Sequence, residues 1–162
     1  MKIRMARETD VPWLIILAQR SWLSGFTDSG PIEFIKERID SQFERDWYPK
    51  HWPTMTIAEE AGVLLGVVQP CENEINGLWV SPEAQGQGVG STLLQHAELM
   101  IVGSGYKHAW LTCSGFNPKA SRFYRSRGYY QTARNVKQRS KDLVEEVFIF
   151  EKVLAGNRKL GL

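Results

Sequence analysis

The sequence predicts a mixed α/β domain (α+β) whose first half is antiparallel. Apolar residues recur with helical spacing in some segments and alternate like strands in others, in the order β-α-α-β-β-β-α-β-α-β-β. Two strand-like segments in the first half are separated only by Glu60-Ala61-Gly62, so they pair as a hairpin. The chain has 162 residues, 43% apolar and 23% charged, which is enough for one domain with a core that needs no staples.

Each element has its own local reason. Residues 2–6 read as a short opening strand. Asp10 is placed to cap the next helix, and Pro12 fits its first turn. Val11, Leu14, Ile15, Ala18 and Trp22 then share one helical face. Gly25 and Gly30 mark residues 23–31 as loop. A second helix is expected over 31–43, with Ile32, Ile35 and Ile39 inward, followed by an irregular stretch, 48–53, that holds Pro49 and Pro53. Residues 54–59 and 63–68 form the hairpin, 70–73 a loop, and Glu74–Val80 the next strand. Val89, Leu93, Leu94, Ala97 and Ile101 line a helix that stops near Gly103 and Gly105. A strand over 107–113 leads to a short helix, 118–127, which Gly128 ends. Residues 129–136 and 144–153 close the domain as a strand pair. Residues 155–162 are expected to fray, leaving 1–154 as a single domain.

The bulk numbers exclude several classes. A formal net charge of +2, with one basic patch at 134–141, is a poor basis for nucleic-acid binding. Cys71 and Cys113 have no metal-ligand spacing, and a reduced cytoplasmic setting is the simpler expectation. Charged residues interrupt the N-terminus, so no signal peptide is expected, and no apolar run approaches the roughly 20 residues that span a bilayer.

The most specific feature is Trp79-Val80-Ser81-Pro82-Glu83-Ala84-Gln85-Gly86-Gln87-Gly88-Val89-Gly90-Ser91. Alternate glycines between a strand and a helix leave backbone amides uncovered at a helix N-terminus, which suits a diphosphate. A dinucleotide fingerprint fails because its third glycine position holds Ser91, and a Walker A loop fails because no lysine follows. The run instead resembles the Q/R-x-x-G-x-G/A signature of the GCN5-related N-acetyltransferase (GNAT) superfamily, as Gln85-x-x-Gly88-x-Gly90. Asn117-x-x-Ala120-x-x-Phe123-Tyr124-x-x-x-Gly128-Tyr129 is similar to a second segment of that family, and the resemblance spans nearly the whole chain.

The resemblance implies a mostly antiparallel sheet of about seven strands, with splayed central strands, flanked by about four helices. It implies acetyl-CoA as co-substrate, no metal, and direct acetyl transfer to a primary amine of a small molecule or peptide. Gln85, Gly86, Gln87, Gly88, Val89, Gly90 and Ser91 would grip the pyrophosphate. Pantetheine would pair with the backbone of Trp79 and Val80, the Val80 amide polarising the thioester carbonyl. Asn117 would contact the pantetheine arm, cap the short helix, or both; Ala120 would let the cofactor pass; Phe123 would pack beneath it or in the core. Tyr124 would be the general acid for the departing thiolate. Glu74 or Glu72 could take the amine's proton, although a solvated loop explains both. Arg122, Arg125 and Arg127 could meet phosphates or simply face water. Cys113 with His108 has no supporting motif, so a covalent route is rejected.

In this superfamily the first two helices commonly wall the acceptor site. Here that region, including the loop between the helices, carries Trp13, Trp22, Phe26, Trp47, Tyr48 and Trp52, together with Asp28, Glu33, Glu37, Asp40, Glu44 and Asp46. Core aromatics and surface acids explain most of these, but together they would suit a cationic amine, and the Trp22–Phe26 spacing is similar to acetyltransferases of polyamines or protein N-termini. A CoA-binding sensor without turnover is the alternative, and a homodimer is left open.

Overall fold

Ala61 and Gly62 take positive φ, 48° and 80°, and join β2 (Thr56–Glu60) to β3 (Val63–Cys71) through a two-residue turn. Such turns match the twist of the strands they connect. The computed structural model describes residues 1–154; the tail expected to fray, 155–162, lies outside the described residues. Besides the hairpin, the chain forms β1 (Lys2–Met5), α1 (Val11–Phe26), α2 (Ile32–Asp40), α3 (Phe43–His51), β4 (Glu74–Val80), α4 (Val89–Gly103), β5 (His108–Ser114), α5 (Pro118–Arg125), β6 (Tyr130–Gln138) and β7 (Val144–Val153). The seven strands make one sheet in the order β1-β2-β3-β4-β5-β7-β6. Every neighbouring pair is antiparallel except β4–β5.

Strand alternation sends successive residues to opposite faces. Ala58, Val68 and Leu111 bury against Leu93, Leu94 and Ala97 of α4 on one face. Ile57 and Val67 bury against Leu14, Ala18 and Tyr48, from α1 and α3, on the other. Fully burying a leucine such as Leu14 or Leu93 contributes about 1.5–3 kcal/mol. Beside the second cluster, Trp22 stacks on Phe26 with centroids 4.5 Å apart, and Phe34 of α2 closes against both.

The structure departs from the sequence reading in the first 53 residues. Residues 23–26 continue α1 instead of forming loop. Asp10 does not cap α1 with its side chain; its carboxylate accepts from the Arg7 amide at 2.7 Å and from both Arg4 terminal nitrogens, closing a 3-10 turn ahead of the helix. On α2, Ile32 and Ile39 are exposed, whereas Phe34 is inward. The stretch expected to be irregular begins inside a fifth helix, α3, which tolerates Pro49 near its C-terminal end. Glu44 and Asp46 in its first turn and Lys50 and His51 in its last oppose the helix dipole favourably.

Candidate active site

β4 and β5 touch at a single register pair, Glu74 with Trp110, whereas β3–β4 and β5–β7 pair along much of their length. Beyond that rung the two strands part. The opening is a cleft of about 480 Å³, with Ile75–Val80 along one side and Thr112, Cys113 and Ser114 along the other. This is the expected splay.

The glycine run forms one end of the cleft. Gly86 and Gly88 have φ of 77° and 86°, a conformation costly for any other L-residue. Gly90 answers a packing demand, since a Cβ there would stand 3.3 Å from the Phe123 ring. The first backbone bond of α4 runs from the Thr92 amide to the Gly88 carbonyl, and the amides of 86–91 have no partner among the described residues. Gln85 donates to the Val80 carbonyl at 3.2 Å and accepts from Lys119 at 2.7 Å. Ser91 accepts from the Arg127 guanidinium, which lies 3.9 Å over the Phe123 ring. Gln85, Gly86, Gly88, Gly90 and Ser91 line the cleft, but Gln87 and Val89 do not. The Gln87 side-chain Nε2 donates to the Glu83 carbonyl, and Val89 is buried in the core.

Across the opening, Asn117 caps α5, its Oδ1 accepting from the Ala120 amide at 3.0 Å. Its Nδ2 makes no hydrogen bond among the described residues. Ala120, Phe123 and Tyr124 line the cleft from the same short helix. Tyr124 is 9% exposed, and its hydroxyl has no hydrogen-bond partner among the described residues. No fully buried side-chain oxygen or nitrogen lacks a partner among those residues, so this hydroxyl lies at the open space of the cleft. Burial of the ring, followed by the neighbouring Cys113, pushes its pKa well above the ordinary phenol value. Trp79 and Val80 line the cleft, but the Val80 amide is taken, donating to Ser21 Oγ at 3.2 Å.

Other candidates separate. Glu74 sits at the still-paired end of β4 and lines neither this cleft nor the cavity described next; burial raises its pKa. Glu72 occupies an exposed turn with φ of 53°. Cys113 lines the cleft, its thiol pKa raised by burial, whereas His108 bonds to Asn73. Their odd separation puts the two on opposite faces of β5. Of the three helix-end arginines, only Arg127 lines the cleft. Among the described residues no group of three or more His, Cys, Asp or Glu could hold a metal, and no helix is long and apolar enough to cross a membrane.

α1 supplies a wall that the sequence reading missed. Ser21 and Gly25, one turn apart, both line the cleft. A Cβ on Gly25 would stand 2.8 Å from Asn117 Nδ2, which accounts for a glycine inside a helix at a cost of about 1 kcal/mol. The i, i+4 spacing was visible; the approach of β4 and Asn117 to that face was not.

A second cavity, about 390 Å³, lies under α1, α2 and α3. Asn76, Gly77 and Trp79 line both spaces, so the two meet along β4. Of the aromatics noted in this region, Trp22, Trp47 and Tyr48 line the cavity, while Trp13 is 62% exposed. Of the acids, only Glu44 lines it; Asp28, Glu33, Glu37, Asp40 and Asp46 are exposed.

A model of the acetyltransferase (GNAT) family matches residues 17–129. The structure is also similar to solved ones. A Rhodopseudomonas palustris protein described as "GCN5-Related N-acetyltransferase: Aminotransferase, Class-II" superimposes with TM-score 0.82 at 20% identity, over 94% of this chain and 95% of that one. The paia N-acetyltransferase of Thermoplasma acidophilum, in complex with coenzyme A, gives TM-score 0.74 at 22% identity, over 94% and 98%. The yncA protein of Salmonella typhimurium, with its cofactor acetyl-CoA, gives 0.69 at 19% identity, over 96% and 94%.

Proposed function

The chain belongs to the GNAT acetyltransferase family, and from that premise we propose that it transfers an acetyl group from acetyl-CoA to a primary amine of a small molecule or peptide, by direct attack within a ternary complex. The observation that carries this reading is the opened β4–β5 edge, with the Tyr124 hydroxyl, which has no partner among the described residues, beside it.

The residues present fit the co-substrate. The free amides of 86–91, at the positive end of the α4 dipole, suit a pyrophosphate, and Lys119 and Arg127 add charge on the same cleft. The Nδ2 of Asn117 is a spare donor for a pantetheine carbonyl, and Ala120 leaves room beside it. Acetyl-CoA would supply an acetyl thioester with a thiolate as leaving group.

The Val80 amide does not face that thioester alone, because Ser21 Oγ accepts its hydrogen. A helix-interior serine ordinarily bonds back to a carbonyl one turn earlier. Ser21 makes no such bond among the described residues, so its hydroxyl proton is free to donate into the cleft. Ser21 therefore passes the polarisation from the Val80 amide to the thioester carbonyl. Tyr124, kept protonated by burial, gives its proton to sulfur as the C–S bond breaks. The nitrogen sheds its proton to solvent water as the C–N bond forms, since Glu74 lines neither the cleft nor the cavity beside it.

Calorimetric titration with acetyl-CoA, combined with thiol release over a panel of amines, tests the reading. Micromolar to millimolar binding with amine-dependent release is expected. Binding without release on any amine would favour a CoA sensor, and no binding would end the assignment.

A further inference from the structure

We propose that the cavity under α1, α2 and α3 is the acceptor pocket, and that it takes a primary amine carried on an uncharged, ring-sized body in preference to a polycation. This rests on the acetyl-transfer reading above. The cavity reaches the cleft along Asn76, Gly77 and Trp79, so an amine held there can present its nitrogen between β4 and β5. Its volume, about 390 Å³, is that of a small-molecule site.

Charge decides the class of acceptor. Among the described residues, Arg38 and Glu44 are the only charged ones that line the cavity. Glu44 is 4% exposed, and its Oε1 accepts from Arg38 Nε at 3.0 Å and Nη2 at 2.8 Å. The pair is neutral. The Arg38 guanidinium also lies 4.0 Å over the Phe43 ring and 5.6 Å over the Trp22 ring. The features that would attract a cationic substrate, a buried carboxylate and aromatic faces, are thus already engaged by a cation of the protein's own. An additional ammonium in this space would meet the Arg38 charge with no second carboxylate among the described lining residues to offset it.

What remains for a ligand is flat and neutral. Phe26 and Arg38 lie on the Trp22 ring and Phe43 and His51 stack on Trp47, so Trp79 presents the aromatic surface still open to a ligand. Tyr48 is 4% exposed, and its hydroxyl has no partner among the described residues; burial, then Glu44, holds it as a neutral phenol. Gln69 is committed, accepting from Trp47 and donating to Thr54. Contact with the Trp79 ring, with one or two neutral hydrogen bonds, is the recognition this wall offers.

The test compares 2-phenylethylamine with spermidine and 1,4-diaminobutane at saturating acetyl-CoA. The wild-type protein should show kcat/KM at least tenfold higher for 2-phenylethylamine. Arg38→Met frees Glu44 and should move the ratio at least tenfold toward 1,4-diaminobutane. Tryptophan fluorescence gives a readout independent of turnover: 2-phenylethylamine should change it saturably and spermidine should not. Preference for spermidine in both assays, or an Arg38→Met protein that is folded by circular dichroism with an unmoved ratio, overturns the pocket's assignment while leaving acetyl transfer intact. Saturable binding of 2-phenylethylamine with no thiol release on any amine would instead remove the acetyl-transfer reading and keep the pocket's selectivity.

Discussion

The two cavities share a wall along Asn76, Gly77 and Trp79, yet they are built differently. The cleft between β4 and β5 is largely a backbone device: an unpaired strand edge, uncovered amides at 86–91, and glycines at positive φ. Only a few of its side chains carry specific roles. The cavity under α1, α2 and α3 is a side-chain device, made of an ion pair and aromatic rings brought from three helices and one strand. A backbone device binds the same group whatever the surrounding residues, which suits a fixed co-substrate. A side-chain device changes with each substitution, which suits the part that selects the acceptor.

Four substitutions probe that contrast. The largest effect is expected for Tyr124→Phe, which removes the proposed proton donor. Here kcat should fall on the order of 100-fold while acetyl-CoA affinity holds. Wild-type kcat at saturating acceptor would remove Tyr124 as the acid. Because burial raises its pKa, Tyr124 stays protonated below its raised pKa and loses its proton only above the ordinary phenol value near pH 10. No alkaline loss of rate that begins below that pH should vanish in Tyr124→Phe.

Next comes Gly88→Val, which places a β-branched residue at φ of 86°. Acetyl-CoA affinity should drop roughly tenfold, from strain of about 1–3 kcal/mol, as read by calorimetry. Unchanged affinity would show that the loop's conformation is not what holds the ligand. Ser21→Ala should lower kcat several-fold, with a smaller change in acetyl-CoA affinity; the reverse split would place Ser21 on the pantetheine arm instead. The smallest effect belongs to Gln87→Ala. Its side chain turns away to the Glu83 carbonyl, so affinity should stay within about twofold if this position serves through its amide alone. A large loss would contradict the backbone account.

The same contrast explains what was legible in the sequence. Glu74–Val80, the glycine run and the Asn117–Tyr129 segment are local patterns, and each sits where it was expected. Backbone devices write themselves in contiguous residues. The side-chain device does not. Glu44 reads as one more helix-surface acid until Arg38, from another helix, is set against it. Phe34 is buried and Ile32 exposed because Trp22, Phe26 and Phe116 come together from distant segments, which no periodicity over nine residues can reveal. Pro49 hid α3, and Ser21 gained its importance from Val80, 59 positions away.

The single rung between Glu74 and Trp110 has a mechanical consequence. The sheet consists of two hydrogen-bonded leaves, four strands and three, stitched together mainly by the hydrophobic cluster that spans them. Cohesion across the seam is therefore greasy and not laddered. Amides along the open edge should exchange with solvent faster than those of the β6–β7 pair, and a ligand that occupies the seam should slow them, acting as a temporary eighth strand.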